Sequence, residues 1–316
     1  MRLSDQIEND LQLPKDFVRD AIENSRTHVK KFSISKRNGS KRVIYHPSRK
    51  LKTIQYWLIH NIFSKFQIHE CACGFVQSKS ILDNAKAHSN NKYLLKIDLL
   101  NFFPSIVFND LKILFQRSPD SQTQNIFSYD DTLNIIRLAC FYSNDSLPIG
   151  YPSSPIISNI VMHEFDQKVS SVLSETEYGE STYTRYADDI VISTNYKNTC
   201  RDIIYPKINE IITTTKHPNI RINNEKTKFG SSRSGSALVT GLRLCKNGHI
   251  TIHRKQKDHI RLLLSLYSKN KLNEKEQKQL IGHLAYCSHV APAFYTTLQK
   301  KFFKEIHTLK SSNRNT

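Results

Sequence analysis

Two adjacent carboxylates, Asp188 and Asp189, stand between two short β-rich runs at residues 182–185 and 190–193. Two apolar runs separated by a tight polar break read as a β-hairpin, which puts both acids at its turn. A third acid, Asp98, closes another apolar run at residues 93–99. Strand alternation sets Tyr93, Leu95, Ile97 and Leu99 on one face and Asp98 on the other. A carboxylate at the end of a hydrophobic strand is costly to desolvate unless a cation or a donor meets it. Two such places in one chain suggest that they meet over shared metal. Hard divalent ions choose carboxylate oxygens, and a pair of Mg²⁺ ions about 3.5–4 Å apart suits phosphoryl transfer. Taken alone, Asp98 also reads as a turn cap, and the Asp-Asp pair as ordinary turn chemistry.

Charge indicates what such a site acts on. The 316 residues carry a formal net charge of +18, an excess suited to a polyanion. A basic protein with no nucleic-acid role satisfies that number equally, but the charge is clustered. Residues 26–52 hold ten Lys or Arg and no acid, and residues 251–316 hold thirteen basic and four acidic residues. Such clustering is expected of grooves that follow a phosphate backbone. The six cysteines are scattered, and the Cys71-x-Cys73 pair lacks the second pair of a zinc site, so all read as reduced and structural. No apolar run reaches the roughly 18 residues of a membrane span, and residues 1–12 are polar and acidic, unlike a secretory leader. The expectation is a cytoplasmic protein with no membrane partner.

Along the chain, residues 5–30 read as short helices broken at Pro14, and residues 32–45 as a basic hairpin turning at Asn38-Gly39. Ile54, Trp57, Leu58 and Ile62 form an apolar stripe at helical spacing. Residues 110–142 and 156–175 read as helical, residues 237–253 as a hairpin turning at Asn247-Gly248, and the chain beyond Arg254 as basic helices. Strands and helices mix without βαβ regularity, which favours an α+β fold.

Longer strings narrow the chemistry. Tyr183-Thr184-Arg185-Tyr186-Ala187-Asp188-Asp189 resembles the YxRYADD signature of reverse transcriptases related to group II introns and retrons. Residues 96–106, around Asp98, resemble that family's first metal motif, and residues 147–155 with Ser158-Asn159 its template- and nucleotide-positioning motif. Residues 42–57 resemble its opening fingers block, and residues 223–227 its Lys-containing motif. The resemblance implies a right-hand polymerase fold: N-terminal helices and fingers at 1–92, a palm with inserted fingers helices at 93–236, and a primer-grip hairpin with a basic helical thumb at 237–316. It implies an RNA-directed DNA polymerase using two Mg²⁺ ions. Asp98 and Asp188 would bind both ions, with Asp189 in support and the Leu99 carbonyl as a further ligand.

Phe103, five residues past Asp98, matches the gate that excludes a 2′-hydroxyl, although Phe102 would serve the same role. Lys36, Arg37, Lys41 and above all Arg42 are candidates for the triphosphate of a dNTP. Lys226 is placed to neutralise or protonate pyrophosphate. Where the family usually has Gln, this chain has Ile149, which leaves nucleotide positioning to backbone groups and Gly150. Asn84-Ala85-Lys86-Ala87-His88 resembles the NAxxH element of retron reverse transcriptases, and Val239-Thr240-Gly241 their VTG element in the primer-gripping hairpin. The retron resemblance implies a cognate structured noncoding RNA, 2′-hydroxyl priming, a branched RNA–DNA product and a separate effector protein in an antiphage system. The C-terminal aromatics (Tyr267, Tyr286, Phe294, Tyr295, Phe302, Phe303) would belong to the thumb, most of them as its core. The alternatives are a group II intron-like or diversity-generating reverse transcriptase, and an inactive polymerase fold serving as an RNA scaffold.

Overall fold

A computed structural model describes residues 2–36, 39–117, 129–175, 177, 179–312. The chain opens with two short helices, α1 (Leu3–Leu11) and α2 (Lys15–Glu23), separated at Pro14 as the sequence predicts. A two-stranded antiparallel ribbon follows, β1 (Val29–Ser35) with β2 (Lys41–Pro47), paired from Val29 opposite Pro47 to Ser35 opposite Lys41. Gly39 in its turn adopts φ +81°; Arg37 and Asn38 lie outside the described residues. In α3 (Arg49–Asn61) the residues Ile54, Trp57 and Leu58 are buried, and so is Ile62 just beyond it. Next come α4 (Ile81–Ala87) and the central strand β3 (Tyr93–Asp98).

Around β3 lies a four-stranded antiparallel sheet, ordered β4 (Ser181–Tyr186), β5 (Asp189–Thr194), β3, β6 (Lys228–Ser231). Its middle strands are covered on both sides, as alternation permits when each face meets its own core. Leu95 and Ile97 of β3 and Ile190 and Ile192 of β5 pack into one large core drawn from residues between Leu3 and Ile220. Leu94 and Val191 point the other way, into a second core formed by residues from Ala237 onward together with Ala85.

The remaining elements bring helices where two spans read as helical and correct one hairpin reading. Of residues 110–142, read as helical, the described ones form α6 (Phe108–Arg117) and α7 (Tyr129–Cys140), following the one-turn α5 (Phe102–Ser105); residues 118–128 lie outside the described residues. Residues 156–175, read as helical, are α8 (Ser154–Val161) and α9 (His163–Leu173), which abut at Met162. After α10 (Tyr205–Thr214), residues 237–253 form a three-stranded meander rather than one hairpin: β7 (Leu238–Val239), β8 (Leu242–Leu244) and β9 (Ile250–Ile252). Thr240-Gly241 makes a turn that the prominent Asn247-Gly248 obscures, both Thr240 and Gly241 having positive φ. Helices α11 (Arg254–Tyr267), α12 (Glu274–Val290), α13 (Pro292–Lys301) and α14 (Phe303–Ser312) complete the second core.

Candidate active site

Strand register brings the three acids together. Asp98 is the Cα partner of Asp189 across β3 and β5, and Tyr186 of β4 is the partner of the same Asp189. Ala187 and Asp188 are therefore the two-residue turn, with Ala187 at φ +55°. The Leu99 amide donates to the Asp188 carbonyl at 2.9 Å, tying the end of β3 to that turn.

Arg185 holds the turn from beneath. Its guanidinium is fully buried and paired with the equally buried Asp166 of α9, Nη2 to Oδ2 at 2.7 Å and Nε to Oδ1 at 2.8 Å. Nη1 donates to Asn159 Oδ1 at 3.1 Å and reaches the Ala187 carbonyl at 3.4 Å. The Tyr183 hydroxyl donates to Asp166 Oδ1 at 2.6 Å. Burial works to lower the pKa of Arg185, but Asp166 outweighs it and the guanidinium stays charged. The alternate residues Tyr183 and Arg185 thus anchor the strand end on which the acids are carried. From the other side, the loop at residues 71–74 runs along β4. Arg185 N donates to the Cys71 carbonyl at 2.9 Å and Cys73 N to the Arg185 carbonyl at 2.8 Å. Gly74 is required there, since a Cβ would lie 2.8 Å from Ala187 N. All six cysteines are free, five of them buried.

Each flanking acid has a lysine. Lys226 Nζ donates to Asp98 Oδ1 and Oδ2 at 3.0 and 3.1 Å, and Asn223 Nδ2 to the same Oδ1 at 3.0 Å. Lys96 Nζ donates to Asp189 Oδ2 at 2.8 Å. Asp188 is different: burial first, then the negative charges of Asp189 and Asp98, raise its pKa above the ordinary carboxylate value. The cluster is short of positive charge at Asp188, and its oxygen donors are of the type that divalent cations take. Among the described residues no three His, Cys, Asp or Glu side chains are gathered in metal-holding geometry. The donors fit a divalent ion in type and in charge, and binding would displace Lys226 and Lys96 from the oxygens they now hold.

The acids open into a cleft of about 790 Å³. Lys36, Lys41 and Arg42 from the β1–β2 ribbon line its far wall, and Leu99, Phe103, Ile149, Lys226 and Thr240 also face it. Phe102, the other gate candidate, is 3% exposed and packs in the core, whereas Phe103 is half-buried. Gly150 sits behind the wall: at φ +111° a Cβ would lie 2.6 Å from the Tyr45 carbonyl. Ile149 contributes its backbone, its carbonyl accepting from Tyr45 N at 2.8 Å.

Comparison with known proteins matches residues 34–263 to the family described as reverse transcriptase (RNA-dependent DNA polymerase). Over 317 aligned residues the chain is 42% identical to the Retron Ec73 reverse transcriptase of Escherichia coli, covering 98% of each. It is 34% identical to the Retron Ec83 reverse transcriptase of the same species, over 90% of this chain and 89% of that one. The chain belongs to the retron reverse transcriptases. Its activity is RNA-directed DNA polymerisation. In fold it resembles the apo telomerase of Candida tropicalis, with TM-score 0.50 at 15% identity, over 89% of this chain and 60% of the telomerase. The mixed helix and sheet architecture is that of the right-hand polymerases, as expected from the motifs.

The two retron elements are partly buried in this reverse transcriptase. Asn84 and His88 are fully buried, so neither has surface to offer RNA or primer, contrary to the expectation of direct recognition. They rivet α4 to the hairpin that carries the acids. His88 Nδ1 lies 2.6 Å from Ser193 Oγ and Nε2 2.7 Å from Thr184 Oγ1, which donates to Asn84 Oδ1 at 2.6 Å. Asn91 Nδ2 donates to Ser193 Oγ at 2.8 Å, which leaves that hydroxyl to donate to Nδ1 and puts the single ring proton on Nε2. Burial holds the pKa of His88 down to about 4, so the ring is neutral. Val239 is likewise buried, and of its element Thr240 alone lines the cleft, its hydroxyl donating to the Ile81 carbonyl at 3.2 Å.

Asp166, Lys96 and Asn223 were not singled out by the sequence. Lys96 was findable, two residues before Asp98 on the same strand face. Asp166 was not, since it sits on a helix and nothing local marks its partner.

Proposed function

We propose that this reverse transcriptase copies a cognate structured noncoding RNA into DNA at the cleft between Asp98, Asp188 and Asp189 and the basic β1–β2 ribbon. The observation that carries this is the register placing Asp98 opposite Asp189 at the mouth of a cleft walled by Lys36, Lys41 and Arg42. Asp98 and Asp188 would hold two Mg²⁺ ions, with Asp189 and the Leu99 carbonyl in support. When bound, the ions lower the barrier to attack by the primer hydroxyl and stabilise the leaving pyrophosphate.

The chain's own groups do the rest. Arg42 and Lys36 receive the triphosphate of the dNTP as charged donors. Phe103 lies under the sugar and leaves no space for a 2′-hydroxyl. Lys226, released from Asp98, faces the developing charge on pyrophosphate and supplies a proton. Thr240 and Gly241 lie against the primer strand. We assign fingers to residues 1–92, palm to 93–236 and thumb to 237–316, supported by a second core drawn mostly from residues beyond Ala237. The likeness to retron enzymes supports priming from a 2′-hydroxyl, a branched RNA–DNA product and an antiphage role with a separate effector.

Primer extension in Mg²⁺ tests the site. Asp188→Ala abolishes incorporation while RNA affinity survives; synthesis by that variant would sink the assignment. Purification from the host tests the substrate: a co-purifying RNA–DNA species cleaved by a 2′,5′-debranching enzyme is expected, and an unbranched product would favour an intron-like enzyme instead.

A further inference from the structure

Phe75 is not explained by folding. It is a bulky residue at φ +60°, in the left-handed region that costs such a side chain strain, and it is 51% exposed. Its backbone is nonetheless held firmly. The neighbouring Gly74 carbonyl accepts from Asn159 Nδ2 at 2.9 Å, and Gly74 packs against the amide of Ala187 in the acid-bearing turn. The strained conformation aims the ring into the cleft, where it lies 6.2 Å from Phe103 and 6.2 Å from Tyr186 between ring centroids. Phe103 is thus flanked by two rings, the buried Phe102 at 5.4 Å and Phe75 on the open side.

We propose that Phe75 is a second determinant of sugar selectivity, a positioning residue that stops the Phe103 ring from yielding beneath the incoming nucleotide. This deepens the functional reading above and rests on it. A gate excludes a 2′-hydroxyl only while its ring cannot move aside. Phe102 is locked in the core, so the open-side neighbour sets that freedom. The ligand is the sugar of a nucleoside triphosphate, whose apolar 2′-methylene tolerates an aromatic floor where a hydroxyl loses its hydrogen bonds.

The test measures kcat/KM for dUTP and UTP, which differ only at the 2′ position, on a poly(rA) template with an oligo(dT) primer. Phe75→Ala is expected to narrow the preference for dUTP by about three- to tenfold, the scale of one aromatic contact, with kcat for dUTP within about twofold. The double variant with Phe103→Ala should be no less selective than Phe103→Ala alone, because one residue acts through the other. An unchanged preference in Phe75→Ala, effects that multiply in the double variant, or a Phe103→Ala enzyme as selective as wild type would each overturn the proposal. Should Phe75→Ala not fold, Phe75→Leu, which keeps apolar bulk and removes the ring, is judged by the same ratio. Wild-type incorporation that Asp188→Ala abolishes leaves the polymerase reading intact whatever these ratios show.

Discussion

At the scale of single residues, the site is a balance of charges held by lysines. Lys226 is mostly exposed and touches both oxygens of Asp98, so its removal disturbs chemistry more than folding. Lys226→Gln is expected to slow nucleotide incorporation by about 10²-fold, the low end for losing a proton donor, with the unfolding midpoint almost unmoved. Rapid-quench single-turnover kinetics beside thermal melts would check both parts; wild-type rates would remove Lys226 from the reaction.

His88 gives the molecule an acid sensitivity of known sign. Its folded pKa of about 4 lies below the ordinary histidine value of 6.5, so in acid the unfolded chain takes a proton that the folded chain refuses. The stability it supports is whole above pH 6.5 and is lost as pH falls toward 4, by about 3 kcal/mol at most. Urea unfolding of wild type should weaken across that window. His88→Gln, which has no proton to gain, should show a flatter dependence, and an equally steep one would mean that other groups set it.

Among elements, the decisive contact is between α9 and the β4–β5 hairpin. Asp166 and Arg185 are both fully buried, and a buried pair is not strong evidence of net stability, but breaking one from a single side strands a charge. Asp166→Ala should cost about 3–5 kcal/mol by denaturant unfolding, and should lower incorporation further because Arg185 also reaches the Ala187 carbonyl. A loss below about 1 kcal/mol would mean that the hairpin is held by something else. The same scale shows where the sequence misled. Alternation and turn chemistry locate β3, the acid hairpin and the β1–β2 ribbon, because their signals lie within a few residues. The break at Met162 and the extra strand at residues 238–239 were invisible, since each depends on what packs across the element and not on its own pattern.

For the whole molecule, the excess charge is carried on separate bodies. The ribbon places Lys36, Lys41 and Arg42 on one wall of the cleft. The C-terminal helices place Lys257 and Arg261 over Phe294, 5.3 and 5.1 Å from its centroid, and Lys310 over Tyr295. Phe294 and Tyr295 are buried, so these rings belong to the core of that unit, and Phe303, 69% exposed, is the one left facing water. Binding of a structured RNA should therefore be strongly salt-dependent. Affinity should fall by about 10³-fold or more between 50 and 200 mM salt if six or more phosphates are neutralised. A nearly flat dependence in filter binding would contradict an electrostatic grip. No helix among the described residues is long and apolar enough to cross a membrane.

The sequence alone determined which residue types could do the chemistry and in what order they come. Asp98, Asp188 and Asp189 stand in local patterns whose period places each at a strand end or a turn, and period is a property of the chain itself, whereas Lys226 was marked only by its likeness to a family motif. What only the tertiary structure decided is who meets whom. It set Lys96 and Lys226 on the flanking acids and Asp166 under the turn. It turned Asn84 and His88 inward although their likeness to the NAxxH element suggested recognition of RNA. It aimed Phe75 into the cleft by a backbone angle that no composition foretells. Those pairings form across tens of residues, where burial and hydrogen-bond satisfaction select one arrangement from many that the local patterns allow.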